Sequence, residues 1–115
     1  MALQRVTAGA VPALVEQLGQ QGLRPVLLDV REPVELTLAR LEIPGTEFIA
    51  MPMRAVAARH LELDRQRPLF TLCHHGARSL QVALYLAQLG YPAVYNIEGG
   101  IEAWACDVDP SIARY

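Results

Sequence analysis

The run Cys73-His74-His75-Gly76-Ala77-Arg78-Ser79 gathers a thiol, two imidazoles, a glycine that can take a bend other residues resist, a guanidinium and a hydroxyl within seven residues. It follows an apolar segment, Leu69-Phe70-Thr71-Leu72, and leads into Ser79 to Leu89, whose apolar residues cover nearly the whole circumference of a helix. A tight loop entering a helix points several unpaired backbone N–H groups inward, and with the helix dipole they form a nest for an anion. The same field favours a thiolate over a thiol, so a cysteine heading such a loop is a candidate nucleophile. Free cysteines also serve as small buried hydrophobes. Here the company of Gly76, Arg78 and a helix start points to a reactive site instead. Cys106 follows Trp104 and Ala105 without such neighbours and reads as a structural or incidental thiol. Adjacent residues such as Cys73, His74 and His75 rarely converge on one ion, and no second ligand cluster accompanies them, so no metal is expected. His60 reads as a surface or boundary histidine.

The elements that must position this loop follow from the pattern of the 115 residues, of which 52% are hydrophobic and 19% charged. That balance excludes global disorder and fits one domain over residues 1–115. No apolar stretch approaches the roughly 20 residues of a membrane span. The start, Met1 to Thr7, lacks the basic-then-apolar order of a secretory signal, and a cytoplasmic setting with reduced thiols is the expectation. All ten basic residues are arginines, which excludes Schiff-base chemistry and the lysine of a nucleotide-binding phosphate loop. With a net charge of −2 and scattered arginines, no nucleic-acid partner is expected.

Thr7 can cap a helix through Val11, Leu14, Val15 and Leu18, ending near Gly22. Val26 to Val30, Phe48 to Met51, Leu69 to Leu72 and Ala93 to Ile97 read as four short strands. Between and after them come helical segments at Pro33 to about Leu38, Met53 to Leu63, Ser79 to Leu89 and Ile101 to Ala105. Alternation of this kind predicts an α/β fold in three layers, a central, mostly parallel sheet with helices on both faces. In such sheets ligands collect beyond the carboxyl ends of the strands, where Cys73 falls.

Taken together, Asp29-Val30-Arg31-Glu32-Pro33 with Glu35, Ile43-Pro44-Gly45 before Met51-Pro52, the Cys73 to Ser79 loop, Asn96-Ile97-Glu98-Gly99-Gly100-Ile101-Glu102-Ala103-Trp104 and Asp109-Pro110 resemble, nearly end to end, a single-domain rhodanese, a member of the sulfurtransferase family. The resemblance implies that Cys73 takes a sulfane sulfur from thiosulfate or a persulfide donor, becomes a persulfide, and passes the sulfur to cyanide, a thiol or a protein thiol. It implies no cofactor, a binding loop of His74, His75, Gly76, Ala77, Arg78 and Ser79, and Asp29 and Arg31 as supporting residues. Gly99 and Gly100 are expected to pack beneath the loop, with Trp104 in the core.

The chain departs from the family in having His74 and His75 after the cysteine, where arginine or tyrosine is common. Glu42 and Glu47 add carboxylates that would discourage small dianions if they face the entrance. Both points raise a protein-borne or low-molecular-weight persulfide as a rival donor to thiosulfate. Two other readings stay open: a noncatalytic rhodanese-like binding or regulatory module, and a cysteine phosphatase or arsenate reductase. The latter is disfavoured because only four residues separate Cys73 from Arg78, one fewer than those enzymes use.

Overall fold

The computed structural model describes residues 3–115; Met1 and Ala2, the first residues of the segment that lacks a secretory-signal pattern, lie outside them. Five strands, β1 (Leu3–Thr7), β2 (Val26–Asp29), β3 (Glu47–Ala50), β4 (Leu69–Leu72) and β5 (Val94–Glu98), form one sheet in the order β1-β5-β4-β2-β3. All four pairings are parallel. The helices are α1 (Val11–Gln20), α2 (Pro33–Leu38), α3 (Val56–Arg59), α4 (Ala77–Gln88) and α5 (Gly100–Asp107).

The apolar runs of β2 and β4 are fully buried because both faces of the sheet are covered, and alternate residues serve different cores. Leu27, Phe70, Leu72 and Ile97 face Val11, Val15 and Leu18 of α1 and Ile101 and Trp104 of α5. Val26, Leu28, Leu69 and Val94 face Val56 of α3 and Val82, Ala83 and Leu86 of α4. The expected three layers are present, and the sheet is wholly parallel.

Three expectations change. Leu3–Thr7 is an edge strand beside β5, and extended Thr7 precedes a 3-10 turn (Ala8–Ala10) without a side-chain capping bond. Met53 to Leu63 is a broken segment, in which α3 is flanked by 3-10 turns at Met53–Ala55 and His60–Glu62. Glu47 opens β3 opposite Val26, at the amino end of the sheet, where Arg67 binds it at 2.6 Å. Cys73 lies beyond the carboxyl ends, so Glu47 does not acidify the approach to it. Glu42 precedes β3 on that same distal side, beside Ile43, Pro44, Thr46 and Phe48.

Candidate functional site

The loop predicted to carry the chemistry connects β4 to α4, and its backbone is bent around the cysteine sulfur. Cys73 Sγ accepts hydrogen bonds from the backbone N–H of Gly76 at 3.0 Å and of Ser79 at 3.4 Å. Gly76 stands at the helix entrance with φ +100°, a left-handed conformation that a side chain would strain. The sequence places α4 at Ser79, but its first turn begins at Ala77, so Ala77, Arg78 and Ser79 all carry helical backbone.

The start of α5 holds the first residues of the loop in place. Ile101 N–H donates to Cys73 O at 2.9 Å and Glu102 N–H donates to His74 O at 3.1 Å. These bonds satisfy donors that every helix leaves unpaired at its N-terminus. They also fix the Cys73 and His74 carbonyls against α5, away from the N–H groups of Gly76 and Ser79 that bond the sulfur. The contact is so close that a Cβ on Gly100, itself at φ +61°, would lie 2.4 Å from Cys73 O and 2.5 Å from His74 O. The two glycines expected beneath the loop therefore include one at which any side chain must displace it, and Trp104 is buried as expected.

A second anchor went unread in the sequence. Asn96, fully buried on β5, accepts at Oδ1 from Ser79 Oγ at 2.6 Å and from Thr71 Oγ1 at 3.1 Å. Its amide donates to Gly76 O at 3.4 Å and to Glu98, which Arg5 of β1 holds from the far side. Buried polar groups that are all satisfied make a stiff support, so this network ties the loop to three strands.

Asp29 and Arg31 form an ion pair whose side chains are both 0% exposed, with Nη2 to Oδ2 at 2.8 Å and Nε to Oδ1 at 3.0 Å. Arg31 Nη1 reaches onward to Glu35 O at 3.3 Å and to the Tyr115 hydroxyl at 3.1 Å. Neither residue bonds to the Cys73 sulfur; they stiffen the bank opposite the loop. Arg78 carries a permanent positive charge beside the loop, and Glu35 pairs it. Its Nη1 and Nη2 donate to Glu35 Oε2 and Oε1 at 2.7 and 2.8 Å. The Tyr115 hydroxyl also donates to Glu35 Oε1, at 2.9 Å. The Arg78 bond, opposed in part by burial and joined by the Glu32 N–H, lowers the Glu35 pKa to about 2.

This last shift has a measurable consequence. The folded chain holds the Glu35 proton more weakly than the unfolded chain, so the stability it contributes is complete above the unfolded value near 4.5 and is lost as pH falls from there toward about 2. Urea midpoints between pH 6 and pH 3 are expected to fall more steeply for the native chain than for Glu35→Gln. Parallel curves would refute the assignment.

His74 stacks between His75, at 3.9 Å between ring centroids, and Tyr115, at 3.8 Å. Burial, followed by the neighbouring His75 ring, lowers the His74 pKa, so His74 favours its neutral form. Among the described residues, His74, His75 and Glu102 bring potential metal-ligand atoms within 4.8 Å of one another. Their arrangement suits a metal poorly. Stacked imidazoles aim their in-plane lone pairs past a common point, and Arg114 already holds Glu102 at 2.5 Å. Cys106 is exposed on α5 and Cys73 is buried, both as free thiols. Among the described residues, no helix is long and apolar enough to cross a membrane.

Comparison with known proteins converges with this geometry. The family model of the rhodanese-like domain matches residues 11–107. A protein of Allochromatium vinosum named sulfurtransferase is 39% identical over 88 residues, covering 76% of this chain and 78% of that one. The chloroplastic Rhodanese-like/PpiC domain-containing protein 12 of Arabidopsis thaliana is 39% identical over 109 residues, 88% of this chain. The match spans only 36% of that relative's length. A crystal structure of a rhodanese-related protein from Thermoplasma volcanium matches with a TM-score of 0.72 and 27% identity, over 97% of this chain and 99% of that one.

Proposed function

Because the chain belongs to the rhodanese-like domain family, we propose that it carries one sulfurtransferase domain, with Cys73 as its sulfur carrier. The observation that carries the reading is the pair of backbone N–H groups on Cys73 Sγ, fixed by a loop whose carbonyls are held elsewhere. Preorganised donors of this kind stabilise a developing sulfur anion at no cost in reorganisation.

In the first half-reaction the Cys73 thiolate attacks the sulfane sulfur of the donor. A new S–S bond forms on Cys73, the donor's own bond to that sulfur breaks, and the leaving group departs with the electron pair, as sulfite from thiosulfate or as a thiolate from a persulfide. An acceptor then attacks the outer sulfur: cyanide, a thiol or a protein thiol takes it, and Cys73 is released as thiolate. The outer sulfur sits one S–S bond, about 2.05 Å, beyond Sγ. There it meets the inward edge of the loop from His74 to Ser79. The chemistry requires no cofactor.

Electrostatics favours a persulfide donor, protein-borne or of low molecular weight, over thiosulfate. Both arginines of the site are neutralised, Arg31 by Asp29 and Arg78 by Glu35, and the residue beside Cys73 is an imidazole biased toward neutrality. A small dianion finds little net attraction there. A phosphatase reading lacks its clamp, since both terminal nitrogens of Arg78 are bound to Glu35. One observation favours a noncatalytic module: Cys73 is only 1% exposed.

Intact-mass analysis after incubation with thiosulfate, glutathione persulfide and a loaded cysteine desulfurase separates the two readings. The sulfurtransferase gains one sulfur, which vanishes on adding cyanide or a thiol. If no donor adds sulfur, the chain is the binding module.

A further inference from the structure

The approach to Cys73 lies between two banks. On one side stand Arg31 and Glu35, from the end of β2 and from α2; on the other stand His74 and Arg78, from the loop and α4. Two spans cross from bank to bank. One is the Glu35–Arg78 ion pair. The other is Tyr115, which belongs to neither bank and reaches both. Its ring lies on His74 at 3.8 Å between centroids and 12° between planes, while its hydroxyl accepts from Arg31 and donates to Glu35. The segment that delivers it is tied down separately, by Arg114 to Glu102 at 2.5 Å and by Ile112 packed against the α1 and α5 side of the core.

Tyr115 spans the site through its side chain, which also packs at the margin of the α1 and α5 side of the core. Its hydroxyl occupies one polar position on each of Glu35 and Arg31. Cys73 is 1% exposed, and Tyr115 stacks on the residue next to it.

We infer that Tyr115 is a specificity-determining residue: closed on His74, Arg31 and Glu35, it admits only small sulfur compounds to Cys73, and bulky or protein-borne persulfides enter only when it is displaced. The substrate part of this inference rests on the sulfurtransferase reading; the access part does not.

Cys106→Ser leaves Cys73 as the only thiol, and in that background Cys73 labelling is followed by intact mass with two reagents, iodoacetamide and a fluorescein maleimide. In Tyr115→Ala the maleimide rate is expected to rise roughly tenfold, the shift in an open–closed equilibrium that loss of a hydrogen bond to a charged group can produce. The iodoacetamide rate is expected to rise far less. Tyr115→Phe keeps the stack, loses both hydrogen bonds and falls between. Equal acceleration of both reagents, or none for the maleimide, overturns the inference.

Sulfur loading supplies the second arm. Tyr115→Ala should shift the ratio of initial rates toward glutathione persulfide and away from thiosulfate, and an unchanged ratio removes Tyr115 from substrate selection. Size-selective labelling without sulfur gain from either donor leaves Tyr115 as the gate and defeats the sulfurtransferase reading instead.

Discussion

Cys73→Ser is expected to lose sulfur transfer by several orders of magnitude and to show no added sulfur from any donor, while remaining folded. A hydroxyl of this size keeps an acceptor for the Gly76 and Ser79 N–H groups, which Cys73→Ala would leave buried and unpaired at about 1–3 kcal/mol each. Serine is thus the cleaner test of chemistry, and alanine a test of chemistry and folding together. What serine lacks is the soft, easily ionised sulfur that forms and releases an S–S bond near neutral pH. Cys106→Ser is expected to retain full transfer, because Cys106 is exposed on α5 with only a 3.9 Å contact to Glu102. The pair is measured by cyanide-dependent turnover and by intact mass. Residual loading of Cys73→Ser at more than a few per cent of the native rate would mean that another thiol carries the sulfur.

The loop could be read from sequence because its determinants are local: an apolar strand, a cysteine, a glycine for the bend, then helical periodicity. The three inner strands, β5, β4 and β2, were visible for a similar reason, since burial on both faces leaves short, continuous apolar runs, and β3 at the other edge keeps the apolar run Phe48-Ile49-Ala50. β1 was not. It pairs only with β5 at the sheet edge, and its half-buried Leu3 and Val6 stand three residues apart among exposed polar residues, without a strand's alternation, which a periodicity argument cannot separate from a lead-in to α1. The uniform helix read over Met53 to Leu63 failed because bonds such as Ala55 N–H to Pro52 O and Leu63 N–H to His60 O close tighter turns at both ends. Asn96 was quoted within a motif but not as a support, because its value depends on the β4–β5 register, which places it opposite Thr71 across 25 residues of chain. Arg78 with Glu35, 43 residues apart, and Tyr115 with Glu35, 80 apart, are products of topology in the same way. The types of residue at the site were local information; their partners, and hence the net charge of the pocket, were not.

That difference is sharpest at Asp29 and Arg31, two residues apart in sequence and expected only to support the site. Removing one partner leaves the other charge at 0% exposure without a counter-ion, a change that costs about 3–5 kcal/mol in buried pairs. Against a total stability on the order of 5–15 kcal/mol, this is a large fraction. Asp29→Asn is therefore expected to lower Tm by roughly 10 °C or more, with a matching fall in the urea midpoint. Arg31→Lys should not rescue the pair. A single ammonium cannot reproduce the Nε and Nη2 bonds to both Asp29 oxygens while also supplying Glu35 O and Tyr115 through Nη1. The lysine variant is expected to resemble Asp29→Asn in stability and Tyr115→Phe in admitting bulky reagents, because it removes the Arg31 anchor of the Tyr115 hydroxyl. A stability loss below about 1 kcal/mol in both variants would show that water reaches the pair and that the bank opposite Cys73 is held by other contacts.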